Sequence, residues 1–358
     1  MFADKRGSSL VSFNLRSFAF ICGRILPFRG LAMTELRIDP IGGRRVYIAE
    51  DRAGRPNDFA ASEHLAADVR DDDAAAVAAC PFCAGNEAAT PHELATVVDQ
   101  RGDWLLRVVP NKFPAMLLAA GADGAVGVHE VIIESPRHVQ AVLELSVEQL
   151  ATVLTAYRDR LRHWAADGRM AHGLIFKNSG RAAGASLRHV HSQLVATPYV
   201  PEAVQRELDS SAEFFARQGK CIFCDLIQRE IAAGERIVRR EGGLAAIAAF
   251  AGRQPLETWI LPEAHAARFD QTADADLAKL AAMLHGTLRA LDAVIPGAAY
   301  NLILHTGPFG SAAASSYHWH WEIVPRVAQL AGFELGTGVY INPVSPEQAA
   351  RRLREAWT

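Results

Sequence analysis

Three residues at alternate positions, His189, His191 and Gln193, follow a run of small residues, Asn178-Ser179-Gly180-Arg181-Ala182-Ala183-Gly184-Ala185-Ser186. Small residues let main-chain N–H groups approach an anion closely. The His-x-His-x-Gln pattern flows into Leu194-Val195-Ala196, so it reads as a strand with His189, His191 and Gln193 on one face. Two imidazoles and an amide beside an anion cradle point to chemistry on a phosphate. A neutral imidazole is a competent nucleophile toward phosphorus near neutral pH, provided its second ring nitrogen is held by an acceptor. His191 is the expected nucleophile. Ser186, Gln193 and the N–H groups around Gly184 are the expected donors to phosphate oxygens as charge shifts in the transition state.

A second set of chemistry-bearing residues surrounds the first. Apart from Cys22, the cysteines form two pairs, Cys80-x-x-Cys83 and Cys221-x-x-Cys224. Each pair is followed by a lone histidine, His138 or His265, and then by a His-x-His, at 189/191 or 318/320. A redox dithiol needs no histidines, whereas two thiolates with two imidazoles suit a closed zinc site. The expected sets are Cys80, Cys83, His138 and His189, then Cys221, Cys224, His265 and His318, giving one Zn2+ and a second at the later set. His191 would then be braced by its metal-bound neighbour His189.

The elements that carry these residues also repeat. In the first unit, Leu105–Val109 and Glu130–Glu134 read as strands. Ser146 with Gln149 predicts a capping box opening a helix. Leu150, Val153, Leu154, Tyr157, Leu161 and Trp164 follow at helical spacing as core. The strand Gly173–Phe176 then leads to the loop. The second unit has the strand Thr258–Leu261, a helix near Asp274 with Leu277, Leu280, Leu284, Leu288 and Leu291, and the strand Asn301–Leu304 leading to His318. The same features in the same order predict an α+β fold, a duplicated histidine-triad-like unit of antiparallel sheet with helices packed on the faces. The expected boundaries are a disordered extension at 1–32, an N-terminal catalytic unit at 33–205 and a C-terminal unit at 206–358. Residues 60–79, rich in Ala and Asp, are expected to be a surface segment.

Composition narrows the class. The 358 residues are 50% hydrophobic with a formal charge of −3, which disfavours duplex nucleic acid as a partner. No stretch of 18 apolar residues predicts a membrane span. Paired C-x-x-C motifs in such a chain fit a reduced, cytoplasmic setting.

Together the motifs resemble the galactose-1-phosphate uridylyltransferase family of the histidine-triad superfamily. The matching stretches are Leu36–Pro40, Cys80–Glu87, Pro110–Pro114, Ser135–His138, Asn178–Gln193 and Tyr317–Glu322, and the likeness spans about residues 35–358. It implies a ping-pong exchange in galactose metabolism. UDP-glucose would uridylylate His191, and a hexose 1-phosphate such as galactose 1-phosphate would accept the group. It also implies that Cys80, Cys83, His138 and His189 hold zinc, that Ser186, Gln193 and Asn178 contact phosphate, and that Asn111 and Phe113 hold the uridine. Some members build a second metal site from a glutamate and three histidines, here Glu207, His305, His318 and His320. The second C-x-x-C favours the Cys221 set instead. The family is commonly dimeric, so a homodimer is expected, with Trp319 and Trp321 either at its interface or in the core.

Two departures stand out. Val190 occupies a position where the family usually has proline, and Phe333–Asn342 is rich in glycine. Gln193, where triad hydrolases have histidine, favours transfer over hydrolysis. Two other readings remain. One is an ADP-sugar phosphorylase using the same catalytic histidine and inorganic phosphate. The other is a non-catalytic, zinc-binding nucleotide sensor.

Overall fold

The computed structural model describes residues 34–54, 77–118, 125–310 and 315–358. The proposed extension at 1–32, Cys22 and most of 60–79 lie outside the described residues. Met33–Thr358 forms one compact unit.

Two strands, β1 (Glu35–Ile38) and β2 (Arg45–Ile48), open the chain. The first half continues with β3 (Ala95–Val98), β4 (Trp104–Pro110), β5 (Val128–Ile133), helix α1 (Val147–Asp167), β6 (His172–Ser179) and β7 (His191–Thr197). Helices α2 (Glu202–Gln218) and α3 (Ile222–Ala233) lead to the second half. That half contains β8 (Ile237–Glu241), β9 (Leu244–Ala248), β10 (Thr258–Pro262), α4 (Asp274–Val294), β11 (Tyr300–His305) and β12 (His320–Pro325). The chain closes with α5 (Gly332–Thr337), β13 (Tyr340–Asn342) and α6 (Pro346–Glu355).

One ten-stranded sheet runs in the order β3-β4-β5-β7-β6-β11-β12-β10-β9-β8. Read outward from the central β6–β11 pair, both halves show the same arrangement, as duplication predicts. The two copies do not keep separate sheets. Their open edges pair antiparallel through Asn178↔Asn301 and Lys177↔Leu302, which removes two unpaired strand edges. A smaller sheet, β1-β2-β13, joins the opening strands to the C-terminal segment, with β13 parallel to β2.

Strand alternation divides the core. Leu106, Val108 and Ile132 point to the face covered by α1 and α4, while Val109, Val131 and Ile133 pack beneath the Cys80 pair on the other. The expected apolar stripes of both long helices are buried in the first of these layers, together with Trp319 and Trp321. The tryptophans are therefore core residues of the chain. Ser146 caps α1 by accepting from the Gln149 N–H. The reciprocal half of the expected capping box is not made. Gln149 Nε2 instead donates to the carbonyls of Leu105 and Glu134, tying the helix start to the sheet.

Charged groups interrupt this layer where they are fully partnered. Arg160 on α1 grips the buried Glu130 carboxylate through Nε (2.9 Å) and a terminal nitrogen (2.5 Å), and Trp164 Nε1 donates to the same group. Arg160→Met should destabilise the fold by about 3–5 kcal/mol, because Glu130 would be left buried and uncompensated. The double change Glu130→Met with Arg160→Met should recover most of that loss. Urea unfolding of the three proteins checks both outcomes.

Candidate active site and metal-ligating clusters

His191 is the first residue of β7, so strand pairing to Ile133 fixes its backbone. His189 lies before the strand rather than within it, and its ring turns to the Cys80 pair. The Phe82 ring sits against both imidazoles, with centroids 5.9 Å and 5.2 Å away. The chain can enter here without proline because Val190 N–H donates to the Val139 carbonyl at 2.7 Å, a bond proline could not make.

Each ring has one nitrogen committed to a carbonyl, which fixes its tautomer. His191 Nδ1 lies 2.7 Å from the His189 carbonyl, an acceptor only, so Nδ1 carries the proton and Nε2 presents a lone pair. Burial, and then the Lys177 ammonium, hold the His191 pKa below the ordinary imidazole value. The ring is therefore neutral near pH 7, with Nε2 unprotonated. A buried network lies beneath it. Lys177 donates to the His191 carbonyl (2.6 Å) and pairs with Glu134 (2.8 Å). Tyr157 and Ser192 donate to the other Glu134 oxygen at 2.6 and 2.5 Å.

The loop before β7 turns on Gly180 and Gly184, whose φ values of 83° and 89° suit glycine. Gly184 faces the Asn178 amide. Asn301 on β11 donates to Asn178 Oδ1 and to the Ala183 carbonyl, both at 2.9 Å, so Asn178 Nδ2 is the end left for a ligand. His191, Asn178, Gly180 and Arg188 line one small recess. The exposed Ser186 lines an adjoining cavity of about 380 Å³, with which that recess shares Ser179, Gly180 and Arg188. Gln193 Oε1 is held by His129 Nε2 at 2.7 Å, and Asn111 Nδ2 lies 3.0 Å from the same nitrogen. Phe113 is 83% exposed, and its N–H donates to Asn111 Oδ1.

Both expected metal-ligating sets assemble. In Cys80, Cys83, His138 and His189, and again in Cys221, Cys224, His265 and His318, all ligand atoms lie within 4.8 Å of one another. Thiol-to-imidazole separations of 3.3–3.7 Å match the edge of a tetrahedron around a four-coordinate ion, about 3.3–3.8 Å. His189 Nε2 donates to the Ser135 carbonyl and His318 Nε2 to the Pro262 carbonyl, so each Nδ1 lone pair faces the thiols. Burial, and then Cys80, push the Cys83 thiol up to about 12. The pair would therefore carry two thiolates only with a cation beside them. These groups could hold metal ions.

The alternative second set divides. His318 joins the cysteines, while Glu207, His305 and His320 form a separate cluster. His305 sits between carboxylates, Nδ1 3.3 Å from Glu207 and Nε2 3.5 Å from Glu322, in the arrangement of an imidazolium. His320, the counterpart of His191, is fully buried, stacked on His305 at 4.7 Å and close to Trp259. Glu322 stands where Gln193 does and is bonded to Arg253. The second unit therefore closes over the position that is open in the first. Charged residues in apolar strands, such as Glu134 and Lys177, were the available signal for the buried networks. Nothing in the spacing pointed to Asn301 or His129.

Comparison with known proteins agrees with this architecture. A family model described as "Domain of unknown function (DUF4921)" matches residues 111–357. An ADP-glucose phosphorylase from Arabidopsis thaliana is 32% identical over 335 residues, covering 90% of this chain and 92% of its own. A galactose-1-phosphate uridylyltransferase from Thermotoga maritima is 27% identical over 338 residues, covering 90% and 98%. The crystal structure of the Arabidopsis thaliana enzyme with bound ADP-glucose superimposes with a TM-score of 0.79 at 33% identity, over 90% of this chain and 98% of that one. A structure described as that of a uridylyltransferase gives 0.68 at 28%, over 91% and 98%. Fold and relatives together define a nucleotidyltransferase enzyme built on a duplicated histidine-triad-like unit. The chain belongs to the galactose-1-phosphate uridylyltransferase family. Among the described residues, no helix is long and apolar enough to cross a membrane.

Although burial opposes charge on His305, Glu207 and Glu322 outweigh it and raise the pKa from 6.5 to about 10. A group raised in the fold stabilises fully below its unfolded value and ceases to do so as pH rises through the folded value. His305→Leu should cost about 3–5 kcal/mol near pH 6. The gap between wild type and variant should shrink as pH rises from 6.5 toward about 10. Urea unfolding at a series of pH values reads this directly.

Proposed function

We propose that this enzyme moves a nucleotidyl group from a nucleotide sugar to a phosphate acceptor through a covalent intermediate on His191. The observation that carries the reading is the His191 Nδ1 bond to the His189 carbonyl, which leaves Nε2 unprotonated on a ring that lines the recess. In the first step Nε2 attacks the α-phosphorus of the donor. The N–P bond forms, the P–O bond to the β-phosphate breaks, and sugar 1-phosphate leaves. In the second step an acceptor phosphate oxygen attacks the same phosphorus and restores the free imidazole. Asn178 Nδ2, Gln193 and the loop N–H groups would carry the developing negative charge, with Ser186 closing the site from the adjoining cavity. Asn111 and the exposed Phe113 would receive the base. We read residues 33–205 as the catalytic unit and 206–358 as its closed counterpart.

For donor and acceptor, ADP-glucose and inorganic phosphate are the first choice. The likeness to the Arabidopsis thaliana ADP-glucose phosphorylase supports this. The second reading is the transfer expected from the motifs, UDP-glucose to galactose 1-phosphate, supported by the Thermotoga maritima relative. Incubation with each donor and intact-mass analysis separates them. A gain equal to an adenylyl or a uridylyl group (AMP or UMP less one water) is expected on His191, released by inorganic phosphate or by a hexose 1-phosphate respectively. His191→Ala should show no adduct and turnover reduced by at least about 10⁴-fold with the fold intact. Turnover with no adduct in quenched samples would reject the double displacement.

We also propose that both Cys2His2 sets hold zinc, since thiolate and imidazole donors at this spacing suit that ion. When bound it would supply structural closure, holding Cys80 to His189 and so bracing the approach to His191. Protein purified without chelators should contain two zinc ions per chain by elemental analysis. Because metal binding is coupled to folding, Cys80→Ser should remove one of them and lower stability by about 4 kcal/mol or more.

A further inference from the structure

Gln193 can serve the phosphate only if its amide faces the right way, because one end is a donor and the other an acceptor. A chain of contacts decides this. Ala115 N–H donates to His129 Nδ1 at 3.1 Å. A main-chain amide cannot reverse its role, so Nδ1 must be the unprotonated nitrogen. In the neutral ring the proton then sits on Nε2, which faces Gln193 Oε1 at 2.7 Å. Gln193 accepts there, and its NH2 is left toward the strand face it shares with His191. Asn111 is oriented by its own turn: Oδ1 accepts from Phe113 N–H at 2.9 Å, so Nδ2 is a donor, and at 3.0 Å from the protonated His129 Nε2 it makes no hydrogen bond there. The opposite tautomer would set Nδ1–H against the Ala115 N–H. It would also turn the Gln193 amide, placing a carbonyl oxygen toward a phosphate.

His129 also holds the loop through its main chain, since its carbonyl accepts from Asn111 N–H at 2.8 Å. One residue on β5 therefore clasps the Asn111–Ala115 segment and the catalytic strand together. We propose that His129 is a positioning residue for nucleotidyl transfer, one that fixes which end of the Gln193 amide meets the phosphate and links that choice to the Asn111–Ala115 loop. The inference rests on the double-displacement reading above.

The test is single-turnover formation of the His191 adduct from ADP-glucose, or from UDP-glucose if that is the donor used. Quenched samples are followed by intact mass for wild type, His129→Leu, His129→Gln, Gln193→Met and the double variant His129→Leu with Gln193→Met. His129→Leu should slow adduct formation about tenfold or more, while the half-saturating donor concentration stays within about threefold. His129→Gln should restore most of the rate, because an amide can accept from Ala115 N–H and donate to Gln193 together. In the Gln193→Met background, His129→Leu should have little further effect. Unchanged adduct formation in His129→Leu would overturn the inference. So would the same slowing whether or not Gln193 is present, which would mark a merely structural role. Absence of any adduct on the wild-type protein with both donors would instead overturn the double-displacement reading, and this inference with it.

Discussion

The hydrogen bond from His191 Nδ1 to the carbonyl of His189 is the constraint on which the site depends. It converts an imidazole with two interchangeable nitrogens into one whose lone pair has a defined end. The carbonyl can do this only if residue 189 is itself immobile. His189 is anchored twice, by its Nε2 bond to Ser135 and by the approach of its Nδ1 to the thiols of Cys80 and Cys83. The Cys2His2 cluster, which could hold a metal ion, and the His191 ring are therefore one mechanical unit. The same device recurs at His318 and His320, where carbonyls of Pro262 and His318 again take one ring nitrogen each.

Beneath His191, the sheet contains charges that an ordinary core would exclude. Glu134 receives Tyr157 and Ser192 on one oxygen and pairs with Lys177 on the other, while Lys177 also donates to the His191 carbonyl. Burying such a pair contributes little net stability, but leaving either member alone is costly. The network ties β5, β6, β7 and α1 to one arrangement. The position of His191 is in this way set from both sides of its own peptide group.

Duplication supplied two nearly equal halves, and among the described residues they differ at the second histidine of each His-x-His. His191 opens onto a recess lined by Asn178 and Gly180. Its counterpart His320 lies under His305 and beside Trp259. Gln193 has as its counterpart Glu322, a carboxylate that would repel a phosphate and is instead committed to Arg253 and His305. The second half still contributes across the central strand pair. Asn301 on β11 orients Asn178 on β6, so the fused sheet carries information between the copies as well as closing their edges.

Much of this was legible in the residues alone. The Cys-x-x-Cys pairs and the later histidines could be grouped by type and order, and the fold brings each group together. The helical stripes of α1 and α4 and the alternating strands follow from local periodicity, which depends only on neighbours in sequence. What periodicity could not supply was contact between distant segments. That His318 is claimed by Cys221 and Cys224 and not by Glu207 depends on which loops converge, as does the burial of Trp319 and Trp321. His189 reads as strand from its spacing, yet it stands outside β7 because its ring is drawn to the Cys80 pair. The roles of Asn301 and His129 were invisible for the same reason: each acts through hydrogen bonds to residues distant in the chain, and only the folded sheet decides which donor meets which acceptor.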